Sequence, residues 1–152
     1  MSKKVIDLLN AARSRELTAI QQYMNQHYEL EDKDFGKLAK KMKEIAIQEM
    51  KHAEALADRI LFLKGTPTYK PDAEIQKGQD IPAMLVTDTK LENYAIKMYN
   101  EASVTCAAEN DQISKNLFEK LLCEEEDHLN FFENTGEHVE KLGSAYVATL
   151  AD

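Results

Sequence analysis

Apolar residues recur three and four apart along most of this chain, the period of a helix with one face turned inward. Over residues 2–30 the stripe is Val5, Leu8, Leu9, Ala12, Ala19, Ile20 and Tyr23. A polar stretch ending in Gly36 breaks it, and Asp34 is placed to cap the next helix. That helix is predicted over 35–64, with Leu38, Met42, Ile45, Ala46, Glu49, Ala53, Leu56, Ile60 and Leu63 inward. Gly65 is placed to end it, and Pro67 blocks its continuation. Residues 66–80 carry Pro67, Pro71 and Gly78. A connection of about fifteen residues exceeds the usual helix–helix loop and can run the length of a bundle. Asp80, Ile81 and Pro82 then open a third helix, with an acidic cap and a proline in the first turn. It continues to about Asn110, where Glu109, Asn110 and Asp111 form a turn. A fourth helix runs to Leu142 and stops at Gly143; Gly136 within it allows a bend at a cost of about 1 kcal/mol relative to Ala. Residues 144–151 form a short fifth helix. The pattern predicts an all-α protein, one domain over 1–152. Its architecture is a four-helix bundle with a long crossover between helices 2 and 3 and a short C-terminal fifth helix.

Polar residues interrupt these stripes at matching places. Glu49 and His52 are three apart, about 60° from each other around a helix, so both reach one ion. Glu125 and His128 repeat the pair. Glu16 lies 33 residues before Glu49, Glu92 lies 33 before Glu125, and the sets are offset by 76, half of the 152-residue chain. The repeat extends past the ligands. Glu16, Ala19, Ile20 and Tyr23 match Glu92, Ala95, Ile96 and Tyr99, which argues for two equivalent helix pairs. The offset also selects Glu125 over its neighbours Glu124 and Glu126.

In an antiparallel hairpin, residues equidistant from the turn lie level. The midpoint of Glu16 and Glu49 falls between Asp32 and Lys33, and that of Glu92 and Glu125 between Ala108 and Glu109, each at a predicted turn. All six side chains therefore meet midway along helices roughly 40 Å long. Four carboxylates with two imidazoles suit two iron or manganese ions. Without cations, such carboxylates would repel and resist ionisation. A salt-bridged or partly protonated polar core is the plain alternative, which the doubled and repeated pattern disfavours. The same ligand pattern marks the di-iron and di-manganese ferritin-like bundles.

Composition narrows the function. The net charge of −8, with no basic stripe, disfavours nucleic acid as a partner and favours cations. No apolar run approaches a membrane span or a signal peptide. Cys106 and Cys123 form no metal or disulfide pattern and read as small buried hydrophobes in a reduced, cytoplasmic setting. His27 and His138 lack a glutamate three residues before them and read as surface or interface residues.

Over nearly its whole length the chain resembles bacterioferritin. The resemblance rests on Glu16-Leu17 with Ala19-Ile20 and Gln22-Tyr23, on Glu49-Met50-Lys51-His52-Ala53, on Arg59-Ile60-Leu61-Phe62-Leu63 with Gly65 and Pro67, and on Glu125 with His128. It implies a ferroxidase centre with two iron ions per subunit. Glu16 and His52 would bind one, Glu92 and His128 the other, and Glu49 and Glu125 would bridge. Iron(II) would be oxidised by O2 or peroxide and stored as ferric mineral in a homo-oligomeric shell of 24 subunits, with a ferredoxin as reductant for release. Met50 would ligate a haem b shared between two subunits; it points about 100° away from Glu49. Tyr23 lies two turns from Glu16 on the same face, and two readings stand open: a phenol beside the metals that donates an electron, or a core tyrosine. Glu44 and Gln48 occupy positions where many relatives carry His and Asp, which puts an inner-surface iron site of that type in doubt, while Glu44 could still bind passing cations. Few residues follow Gly143, which would alter contacts around four-fold pores. A di-iron peroxide-scavenging enzyme of the rubrerythrin type, without mineral storage, is the alternative on the same bundle.

Overall fold

The structure, a computed structural model, describes residues 2–152. Five helices and no strand are formed among the described residues: α1 (Lys3–Asp32), α2 (Gly36–Phe62), α3 (Ile81–Ala108), α4 (Gln112–Leu142) and α5 (Ser144–Ala148). α1 pairs with α2 and α3 with α4 as two hairpins, and α1 also packs on α3. Among the described residues no helix is long and apolar enough to cross a membrane.

Helix ends show how local chemistry sets the boundaries. Ser2 caps α1 by accepting from the Val5 N–H, and Asp80 caps α3 by accepting from the Ala83 N–H. Asp34 does not cap α2. It adopts a left-handed conformation with φ 65° in the turn, and Phe35 precedes the helix without a side-chain cap. Gly65 is also not the residue that reverses the chain after α2. Lys64 takes the left-handed position with φ 69°, and the Gly65 N–H bonds back to the Ile60 carbonyl. Gly65 is needed for close approach instead: a Cβ there would stand 2.7 Å from Ile6 Cγ2 and 3.0 Å from Ile60 Cγ2. Gly143, with φ 60°, does end α4, whereas α4 runs unbroken through Gly136.

The crossover is stitched to α1 by side chains. Arg13 Nε–H donates to the Thr68 carbonyl at 2.8 Å, Thr18 Oγ1–H to Asp72 Oδ1 at 2.6 Å, and Gln22 Nε2–H to the Gln76 carbonyl at 2.9 Å. These partners give an extended segment the hydrogen bonds it cannot make within itself.

All nine inward residues predicted for α2 are buried. Two apolar clusters result, one around Tyr23, Leu38, Met42, Ile45 and Phe132, the other around Leu9, Leu56, Ile60, Tyr99 and Phe118. Between them lies a polar belt midway along the helices. Of the cysteines, Cys106 is buried, its thiol pushed up to about 11 by burial, but Cys123 is exposed. The expectation for Cys123 therefore fails: its position on α4 faces outward, off the stripe that carries Leu121 and Glu125. His27 departs as well. It is buried, and its Nδ1–H donates to the Ala39 carbonyl of α2 at 2.6 Å. Its partner is backbone, which the search for a paired glutamate could not find. His138 is exposed and stacks on Tyr146.

Candidate metal centre

Glu16 of α1, Glu49 and His52 of α2, Glu92 of α3, and Glu125 and His128 of α4 are all buried in the polar belt. The hairpin registers bring them level, as their spacing requires. One ligand atom each from Glu16, Glu49, His52 and Glu125 fall within 4.8 Å of one another, and so do those from Glu49, Glu92, Glu125 and His128. The two groups share Glu49 and Glu125. His52 Nδ1 lies 3.0 Å from Glu49 Oε1 and 3.3 Å from Glu125 Oε1; His128 Nδ1 lies 3.3 Å from Glu125 Oε1.

Buried polar atoms normally find partners. Here Glu16 Oε2, Glu49 Oε1, Glu92 Oε2, both Glu125 oxygens, His52 Nδ1 and His128 Nδ1 have no hydrogen-bond partner. These seven unpartnered atoms come from the six candidate ligands, and they converge. A hard carboxylate-and-imidazole donor set around two adjacent points fits two first-row divalent ions.

The outward atoms of the same residues are held. His52 Nε2–H donates to Glu124 Oε2 at 2.7 Å, and His128 Nε2–H donates to Gln48 Oε1. Such contacts fix the tautomer that offers Nδ1 inward. Tyr23 Oη–H donates to Glu92 Oε1, and its repeat mate Tyr99 donates to Glu16 Oε1, so each phenol crosses between α1 and α3 to the glutamate of the other half. Both phenols have pKa values well above the usual range, from burial first and then from Glu92 and Glu16 respectively. A 260 Å³ cavity lined by Lys41, Gln48, Glu124, Asp127 and His128 opens beside the centre between α2 and α4. Gln48 faces His128 there, while Glu44 lines a different cavity.

Sequence reasoning missed Arg15. It is fully buried in the belt; Nη1–H donates to Glu49 Oε2 at 2.9 Å, and Nη2–H donates to the Leu91 carbonyl at 2.8 Å. The same guanidinium lies 3.4 Å from both Glu92 and Glu125 and 3.7 Å from Glu16. Its position was readable: it stands three after Ala12 and four before Ala19, on the inward stripe. Asp88 was also missed. It is buried one turn before Glu92 with both oxygens unpartnered, and burial holds its carboxyl well above the usual range.

Charge is tightly balanced in the belt. Burial and Glu49 raise Glu16 to about 7. Glu49 is held below the usual carboxylate range, because His52 and Arg15 outweigh its burial. Glu125 is raised by burial and by the three other carboxylates. Burial alone would lower both histidines, but the carboxylates around Nδ1 win and take His128 to about 10, with His52 higher still.

A bundle of this topology with six convergent candidate ligands has the form of a ferritin-like protein, and the ferritin-like domain family matches residues 6–142. Desulfovibrio desulfuricans bacterioferritin is 45% identical over 148 residues, covering 97% of this chain and 83% of the relative. Rhodobacter capsulatus bacterioferritin is 42% identical over 148 residues, covering 97% and 91%. The solved D. desulfuricans structure, described with its diiron site in different catalytic states, superposes with TM-score 0.95 at 44% identity, covering 97% of this chain and 86% of that one. The R. capsulatus structure, described with a metal-free dinuclear site and haem iron, gives TM-score 0.94 at 40% identity, covering 100% and 96%. The chain belongs to the bacterioferritin family.

Proposed function

We propose that this chain is the subunit of an iron-storage ferroxidase: it oxidises iron(II) with O2 or peroxide at a centre of two metals and deposits ferric mineral inside a shell of 24 copies. The observation that carries this reading is the pair of ligand groups sharing Glu49 and Glu125. Glu16 and His52 would hold one metal, Glu92 and His128 the other, and Glu49 and Glu125 would be shared between them. When bound, two such ions supply paired one-electron oxidations matched to the two-electron reduction of peroxide.

The chain's own side chains set up that chemistry. Tyr23 and Tyr99 fix the outward oxygens of Glu92 and Glu16, so each terminal carboxylate keeps its other oxygen for metal. An electron-donor role for Tyr23 rests on that contact with Glu92. Glu124 and Gln48 hold the histidine rings, and both reach the cavity through which iron(II) approaches. The two apolar clusters on either side exclude water from the belt. Met50 would hold a haem b shared with a second subunit, a cytoplasmic ferredoxin would supply electrons for release, and residues 1–152 would act as one di-iron domain.

Stopped-flow absorbance tests the reading as iron(II) is added to metal-free protein of known assembly size. A fast phase saturating at about two irons per subunit, then slow mineral growth, is expected. His128→Ala should slow the fast phase by roughly a hundredfold while assembly persists. Unchanged oxidation would refute the ligand set, and fast oxidation of two irons that then stops would point to a peroxide-scavenging enzyme.

A further inference from the structure

Arg15 brings a permanent positive charge into a cage that is to take two dications. Its guanidinium lies within 3.7 Å of all four carboxylates, and it meets each of the two shared ones at one oxygen only. The contacts to the bridging pair go to Oε2 of Glu49 and Oε2 of Glu125. Both histidine Nδ1 atoms cluster instead on Oε1 of those same glutamates. The cage is thus divided: one oxygen of each shared glutamate faces the imidazoles, and the other faces Arg15.

A carboxylate that bridges two metals with one oxygen to each ion needs both oxygens free. With Arg15 in place, each shared glutamate has only Oε1 clear of the guanidinium. Charge points the same way. With both imidazoles neutral and the carboxylates ionised, as metal ligation requires, four carboxylates and one guanidinium sum to −3, so a first divalent ion leaves −1 and a second would leave +1. Without Arg15 the same two steps would leave −2 and then zero. Repulsion between a guanidinium and a dication a few ångströms apart is strong in a dry site. Arg15 is well anchored against leaving, because Nη2 is tied to the Leu91 carbonyl on α3. Its Nε, however, has no partner, so the side chain is not locked along its length.

The internal repeat isolates this feature. The position 76 residues after Arg15 is Leu91, so only the first half carries the cation. A guanidinium held by one half makes two otherwise similar metal positions unequal.

We propose that Arg15 is the resident counter-ion of the centre. It holds the carboxylates together when no metal is bound, stays while a first divalent ion binds on the imidazole side, and must withdraw from Glu49 and Glu125 before a second can bind. Metal loading is therefore stepwise, with the second step weakened by Arg15. This rests on the reading of Glu49 and Glu125 as shared ligands.

Cobalt(II) titration of the metal-free full chain, followed by calorimetry and visible absorption, tests it without turnover. The wild type should bind two Co²⁺ per subunit with affinities separated by about a hundredfold. Arg15→Met, which keeps length and removes charge, should tighten the second step by about tenfold or more and narrow that separation. The same variant should unfold at lower temperature than wild type when metal-free and recover when Co²⁺ is added. Arg15→Lys keeps the charge but loses the fork. It should fold without metal and give an intermediate separation, so the proposal is tested even if the Met variant folds only with Co²⁺, itself a supporting result. Equal affinities in the wild type, or an unchanged separation in both variants, would overturn it. Absence of Co²⁺ binding in wild type and variants alike would overturn the metal-centre reading beneath it.

Discussion

His52 and His128 show how single residues couple metal, proton and fold. Each presents Nδ1 to carboxylates that favour its protonated form, raising His128 from 6.5 to about 10 and His52 further. In the metal-free protein this stabilisation is fully present below pH 6.5, where the unfolded imidazole is also protonated, and is lost as pH rises through about 10. A metal needs the lone pair that the proton occupies, so loading must expel protons from both rings. Glu16, raised to about 7, releases part of another. Apparent Co²⁺ affinity should therefore rise between about pH 6.5 and 8, by roughly tenfold per pH unit for each proton displaced. Calorimetry in two buffers of different ionisation enthalpy measures the proton count directly, and identical heats in both would contradict the protonated rings. The six ligands were legible because a helical repeat fixes which faces meet. Arg15, Tyr99 and Glu124 were harder. Arg15 breaks the repeat, Tyr99 looks like core until its Glu16 partner crosses from another helix, and Glu124 acts through the outward nitrogen of His52.

Between elements, the hairpin register depends on how helix ends are tied. Arg59 near the end of α2 donates to Asp111 Oδ1 at 2.7 Å and to Ser114 Oγ at 2.9 Å, and it lies over the Phe62 ring. Asp111 in turn caps α4 by accepting from the Ser114 N–H at 2.9 Å. One carboxylate thus starts α4 and binds it to the end of α2. Asp111→Ala removes the cap and leaves a half-buried guanidinium without its partner. The cost should be about 2–3 kcal/mol, read as a lower urea midpoint for the metal-free protein at unchanged slope. A shift no larger than an exposed ion pair gives would show that Arg59 re-pairs elsewhere. Hairpin geometry was legible in the sequence from the midpoints of the Glu16–Glu49 and Glu92–Glu125 intervals. The turn chemistry was less so: Asp34 and Lys64 take left-handed positions that composition assigns to other roles. Sequence distinguishes a glycine that reverses the chain from one that admits a neighbour only when the neighbour, here Ile6, is known.

On the whole molecule, the outer face of α2 exposes large apolar side chains among its charged ones. Ile47 and Met50, three residues apart, are each 40% exposed, and Leu61 and Phe62 further along are more so. Tyr28 on α1 adds to the exposed apolar surface. Exposed apolar side chains of this kind fit burial against other copies of the chain. Met50 sits next in sequence to the buried Glu49, yet it is exposed on the outer side of α2, so a haem held there between two subunits would lie about one helix thickness from the candidate metal centre. On the proposed reading the two functions share one helix: the inward face would bind the oxidising metals, and the outward face would hold a group able to pass electrons from outside. Met50→Leu keeps the volume and the apolar contact but removes the sulfur ligand. It should abolish the Soret band of haem-reconstituted protein while light scattering still reports the wild-type assembly and the fast iron(II) phase persists. A retained Soret band with a bis-methionine spectrum would move the ligand to another methionine. Loss of assembly would instead mean that Met50 contributes to the subunit contact itself, uniting the two roles that the opposite faces of α2 keep apart.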